Sequence, residues 1–250
     1  MLNLLLQTTI EADPDDWSIS RFSRLASFLS ELRDGQGRPV FRVTSRDRSP
    51  RAGSDPVLST LHESGFNQLW LFAVDGGDGL AAKDYDGIDL FWRRGGGLMI
   101  TRDHTVMGGP ARCNSGKNGD FQRIRSVGSI HPVMRDRRSA TGVIQYLPAH
   151  PHENPVSAPP RNSRSRVIAE GQGSDSGERH NIAVAFERCA AHGRAIVQST
   201  FHHFADYNWD PSAGCPSFVA EAAGDGMTRF PDALRSTKQY AHNIASWLSA

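Results

Sequence analysis

The stretch Leu2-Asn-Leu-Leu-Leu-Gln-Thr-Thr9, closed by the acidic turn Asp13-Pro-Asp-Asp16, places the tightest constraint on the fold. A strand with so little polar alternation needs cover on both faces, as an inner strand of a parallel sheet has. The chain after it keeps the matching rhythm. The apolar spacing of Phe22, Leu25, Ala26, Leu29 and Leu32 predicts a helix from about Trp17 to Leu32, stopped by Asp34-Gly-Gln-Gly37. Strands are expected at Pro39–Thr44, Gln68–Val74 and Leu98–Thr101, and helices at Pro56–Glu63 and Leu80–Arg94. Strand and helix alternating at this spacing build right-handed βαβ units. The expected class is α/β: a doubly wound, mostly parallel sheet flanked by helices.

The stretch from Asp103 to His180 is different. It is rich in Gly, Ser, Arg and Pro, and Pro148, Pro151, Pro155, Pro159 and Pro160 crowd together ahead of Arg161, Arg164 and Arg166. It reads as long surface loops, with 148–165 the most exposed part. Order resumes with a strand at Val167–Glu170. A hairpin of Asn181–Glu187 and Arg194–Phe201 follows, and the chain closes with a helix over Pro231–Leu248. One domain, 1–250, with a loop-rich insertion at about 105–180, accounts for the whole.

Charge narrows the choice of partner. Twenty-eight Lys and Arg against 27 Asp and Glu leave +1, so no overall field draws nucleic acid or a membrane surface, and neither is expected as a partner. Only Lys83, Lys117 and Lys238 are lysines, a skew toward arginine that codon composition explains. Cys113, Cys189 and Cys215 form neither a disulfide framework nor a metal spacing, which implies a reducing compartment. The opening residues lack the basic start of a signal peptide. No run reaches the roughly 20 apolar residues of a membrane span, so a cytoplasmic location is expected.

Chemistry is expected where parallel strands end, because doubly wound sheets bind ligands beyond those ends. The third strand delivers Asp75 and the fourth Asp103-His104. The late strand delivers Phe201-His-His-Phe-Ala-Asp206-Tyr-Asn208-Trp209. Eight of the ten histidines lie between His104 and His203. Imidazole suits proton transfer near neutrality and metal ligation alike. His203, next to His202 on a strand, is expected to face the other way. Gly77-Asp-Gly-Leu-Ala-Ala82 imitates a dinucleotide fingerprint, but Asp75 and Asp78 put carboxylates where a pyrophosphate would sit, so an NAD-binding protein is the weaker alternative.

Two segments carry a resemblance: Gly95-Gly-Gly-Leu-Met-Ile-Thr-Arg-Asp-His104 and Gly193-Arg-Ala-Ile-Val-Gln-Ser-Thr-Phe-His202, with Asn243-Ile-Ala-Ser-Trp247 closing the last helix. They resemble the ThuA-like (trehalose utilisation) family of the class I glutamine amidotransferase-like superfamily. The resemblance implies that superfamily's flavodoxin-like fold and a role in small-molecule, carbohydrate metabolism. The chain departs from working amidotransferases. No cysteine stands on the turn at Asp103-His104, and Phe201-His-His-Phe204 lacks the glutamate after the histidine, so glutaminase activity is not expected. Phe201 also replaces the family's glycine before His202, which would narrow the pocket.

The expected enzyme is a hydrolase or isomerase working through His and Asp. His104 and His202 are the acid/base candidates, oriented by Asp103 and Asp206. Asp75, Asn208 and Trp209 are candidates to line a polyol pocket for a sugar-like ligand. The sequence assigns no cofactor; a divalent metal held by His104, His202 and Asp206 stays open, as does a homo-oligomer. The alternative is a non-catalytic ligand-binding or assembly module on the same fold.

Overall fold

A computed structural model of the chain describes residues 1–50, 53–74, 79–102 and 113–250. The elements follow in the order β1 (Leu2–Glu11), α1 (Ser23–Glu31), β2 (Phe41–Arg48), β3 (Gln68–Val74), α2 (Ala82–Arg93) and β4 (Gly97–Arg102). Next come β5 (Phe121–Arg123), β6 (Arg125–Ser126), β7 (Tyr146–Pro148), β8 (Ser165–Gln172), β9 (Arg179–Phe186) and β10 (Ala195–Gln198). Helices α3 (Asp206–Trp209), α4 (Gly226–Arg229) and α5 (Pro231–Leu248) close the chain. Eight strands form one sheet in the order β2-β1-β3-β4-β10-β9-β8-β6, and β5 pairs with β7 in a small second sheet. The first five in that order are parallel; β9, β8 and β6 extend the sheet antiparallel.

Period-two geometry explains why the apolar strands are continuous. On β1, Leu4 and Leu6 enter the core beneath α1 and α5 with Leu25, Leu29, Tyr240 and Ile244, while Leu5 enters the core beneath α2 with Ile88 and Phe91. β3 divides the same way, Trp70 and Phe72 to one side and Leu69 and Leu71 to the other. Each fully buried leucine contributes about 1.5–3 kcal/mol. α2 can lie close because Gly87 has no Cβ: one built there would stand 2.1 Å from the Leu58 carbonyl oxygen.

Three expectations need correction. The helix expected from Trp17 begins as a 3-10 turn at Ile19–Phe22, and α1 proper starts at Ser23. The helix expected at 56–63 is a turn with only Leu61–Glu63 in 3-10 form. The middle of the chain is more than surface loops. Ile124, Val133, Met134, Ile144 and Leu147 are buried in the larger core, and Ala149, His150 and Glu153 are buried within the stretch expected to be most exposed. From Ser157 onward that stretch is largely at the surface.

Candidate functional site

β10 runs parallel to β4, with Ile196 opposite Met99, and ends at Gln198. The chain then turns through Ser199 and Thr200 into a 3-10 turn, Phe201–His203, where the Thr200 hydroxyl accepts the His202 backbone N–H at 3.1 Å. α3 follows at once. This turn therefore stands at the carboxyl edge of the parallel strands, and all of its residues are buried.

The His202 ring is enclosed by other rings. Trp17 meets it edge-on at 4.7 Å between centroids, Phe201 stacks at 4.1 Å, and His150 lies nearly parallel at 3.5 Å. A chain of amides fixes the protons of the two imidazoles. Asn208 Nδ2 donates to the Ala149 carbonyl at 3.2 Å, which can only accept, so the Asn208 amide has one orientation. Its Oδ1 therefore faces His202 Nδ1 at 2.9 Å, and that nitrogen carries the proton. Asn208 Nδ2 also donates to Asn118 Oδ1 at 2.9 Å, so Asn118 presents its oxygen to His150 Nδ1 at 2.8 Å, and His150 too is protonated there. In their neutral forms both rings then carry the basic lone pair on Nε2, the arrangement of an imidazole set up as a base or a ligand.

Beside this pair lies Glu153, fully buried. Its Oε1 accepts from Ser115 Oγ at 2.7 Å and from Gln122 Nε2, with His203 Nε2 at 3.5 Å. Its Oε2 accepts from Ser199 Oγ at 3.0 Å and faces His180 Nε2 at 3.3 Å. Burial alone would raise the carboxyl, but the His203 and His180 imidazoles and their hydrogen bonds prevail and hold it well below the usual carboxylate range. Gly171 makes room for the cluster, since a Cβ there would stand 2.5 Å from Gln122 Oε1 and 3.0 Å from His180 Cε1.

No family model matches the chain, and no curated protein matches it. Solved structures do. A protein from Parabacteroides merdae ATCC 43184 named as ThuA-like superposes with a TM-score of 0.54 at 14% identity, over 100% of this chain and 90% of its own. The fold is ThuA-like. A cytoplasmic protein from Salmonella typhimurium LT2 superposes at 0.51 and 11% identity, over 97% of this chain and 99% of its own. The carbohydrate deacetylase Agd3 matches at 0.45 and 16% identity over 79% of this chain and 29% of its own, too distant to extend its activity here. Among the described residues no helix is long and apolar enough to cross a membrane.

Within the ThuA-like fold the two segments that carry the sequence resemblance are neighbours, β4 and β10. His202 stands just beyond β10, as expected. Asp75, Asp103 and His104 lie outside the described residues. Asp206 does not orient His202. Its carboxylate caps α1, accepting Ser23 N at 3.0 Å, Ser23 Oγ at 2.6 Å and Arg24 N at 2.8 Å, and burial raises its carboxyl despite those bonds. Asn208, expected on a sugar, is the residue that orients His202. Trp209 donates from Nε1 to the His203 carbonyl at 2.9 Å and lines a groove beside α1 and α5 rather than a polyol pocket at His202. His203 does not obey strand alternation, because Phe201–His203 is a 3-10 turn; it reaches Glu153 instead.

His150, Asn118, Glu153 and His180 were not anticipated as site residues; the signal available was the crowding of histidines and the run His150-Pro-His152-Glu153. Among the described residues no three or more His, Cys, Asp or Glu side chains are grouped to hold a metal ion. The three cysteines are free thiols, and burial, then Glu153, raises the Cys113 thiol, which makes it a poor nucleophile.

Proposed function

We propose that this chain is an enzyme of small-molecule, carbohydrate-type metabolism that moves a proton with His202, assisted by His150. The observation that carries the reading is the amide chain through Asn208 and Asn118, which imposes one tautomer on two stacked imidazoles at the carboxyl edge of β10. Orienting a ring by its Nδ1–H and turning Nε2 to the reaction is how a histidine is prepared as general base. Two adjacent imidazolium rings would repel, so the stack disfavours two cations at once. A hydrolase or isomerase fits such a pair. The sugar-like substrate follows from the ThuA-like resemblance, and a cytoplasmic location accords with it.

The test is a binding and turnover screen with trehalose, maltose, sugar phosphates and O-acetylated sugars, read by ligand-observed NMR and product analysis. His202→Ala and His150→Ala should each lower turnover of the accepted substrate by about 10²–10⁴ while the fold is kept. The double variant should be scarcely worse than either, since groups acting as a unit are non-additive. Binding without turnover, unchanged in both variants, would favour the non-catalytic module. No response to any sugar would remove the carbohydrate assignment.

A further inference from the structure

We propose that the groove between α1 and α5 is a second ligand site, one for an aromatic acid: a ring bearing a carboxylate or phosphate. The groove encloses about 730 Å³, within the range of small-molecule sites. It lies apart from the His150–His202 pair, and α3 serves both places with consecutive residues, Asn208 to His202 and Trp209 to the groove wall.

The lining is apolar where a ring would rest and cationic where an acid would point. Phe28, Leu234 and Met227 supply the apolar part, and Trp209 the wall behind them. The cations divide into two kinds. Arg24 is paired with Asp210 at 2.7 Å, and Arg235 with Asp136 at 2.7 Å and Asp232 at 3.1 Å, so their charges are already answered. Arg138 and Lys238 also line the groove, and among the described residues neither has a carboxylate partner.

Lys238 is one of only three lysines in the chain. Its ammonium lies 5.7 Å from the Phe28 ring centroid and 6.0 Å from that of Trp209. A cation held over two ring faces has given up part of its water for weaker partners, and an anionic oxygen would restore strong hydrogen bonds. Arg138 adds a planar fork suited to a carboxylate or phosphate. A simple inorganic anion would leave the apolar surface unused, and a neutral ring would leave both cations unanswered. The occupant that satisfies the whole lining carries both parts.

Phenyl phosphate is the probe, titrated by calorimetry beside inorganic phosphate and benzyl alcohol. Phenyl phosphate should bind saturably, about tenfold or more tighter than either fragment, and more weakly as salt is raised. Lys238→Met and Arg138→Gln should each weaken it several-fold. Arg138 is exposed on a loop, so its variant tests the site without disturbing the core. His202→Ala should leave binding unchanged, which separates this site from the proposed catalytic one. Equal affinity for inorganic phosphate would mean a mere charge patch, and equal affinity for benzyl alcohol a mere apolar cleft. Full binding by both groove variants, or none by the wild type, would likewise overturn the proposal.

Discussion

Replacing Glu153 by Gln tests whether a buried carboxylate organises the centre of the molecule. The substitution keeps the shape and removes the charge. The carboxylate gathers Ser115, Gln122 and His203 on one oxygen and Ser199 and His180 on the other. A glutamine keeps one oxygen for the first group and presents an NH₂ to the second. The Ser199 hydroxyl can turn to accept, and His180 can accept only by moving its proton to Nδ1. Hydrogen bonds to charged groups are worth about 1.5–3 kcal/mol and neutral ones about 0.5–1.5, so weakening several of them costs about 3 kcal/mol after allowing for the easier desolvation of an amide. For a chain of this length that lowers Tm by about 6–12 °C, measurable by circular dichroism. The pH dependence identifies the cause. Because the folded carboxyl lies below the unfolded value of 4.5, its stabilisation is complete above that pH and lost as pH falls toward the folded value. The gap between wild type and Glu153→Gln should therefore narrow on acidification below about pH 4.5. An unchanged Tm, or a gap of equal size at pH 7 and pH 3.5, would refute an ionised, multiply bonded Glu153.

Asp206→Ala removes the cap of α1 and should cost about 1–2 kcal/mol in urea denaturation, with ligand binding at the His202 pair intact in the folded fraction. Loss of binding with stability preserved would return Asp206 to the site. His131 should make stability depend on pH in mild acid. It accepts the Val133 N–H at Nδ1, turns Nε2 to Glu187 at 3.2 Å, and is pushed down to about 4, first by burial and against the pull of Glu187. The unfolded chain then binds the extra proton between about pH 4 and 6.5, so stability rises with pH across that window and is lost as pH falls, by about 3 kcal/mol in all. His131→Phe should flatten the slope of stability against pH there, and an unaltered slope would count against it.

The parts of the fold legible in the sequence were those whose pattern is local. β3 occupies Gln68–Val74 and α5 Pro231–Leu248, the bounds expected from apolar runs and a helical stripe opened by proline. The segment from Cys113 to Val156 was opaque because its core residues stand singly: Ile124, Val133, Ile144 and Leu147 are separated by polar turns and show no period. They are buried by what lies over them, α5 above all, and no window along the chain contains that fact. The candidate site was half legible for the same reason. His202 could be read from its place after a strand, but its orienting partner six residues on looked like a sugar ligand, and His150 and Glu153 sat in a stretch that composition assigns to the surface. Asp206 misled because an acidic residue near paired histidines is ambiguous until the helix it caps, 183 positions away, is seen to claim it.

The choice of Asn at position 208 has a consequence for the chemistry. An aspartate accepting the same Nδ1–H would draw His202 toward the imidazolium, as carboxylate partners of histidines do. An amide oxygen fixes the ring and its tautomer without adding charge, and the second amide does the same for His150. The carboxylate of Glu153 stands against His180 and His203, the latter one residue along the turn. Neighbouring histidines 202 and 203 thus differ in their partners, one oriented by the Asn208 amide and stacked on the His150 imidazole, the other set against a buried carboxylate. Trp209 ties this turn to α3 by donating from Nε1 to the His203 carbonyl.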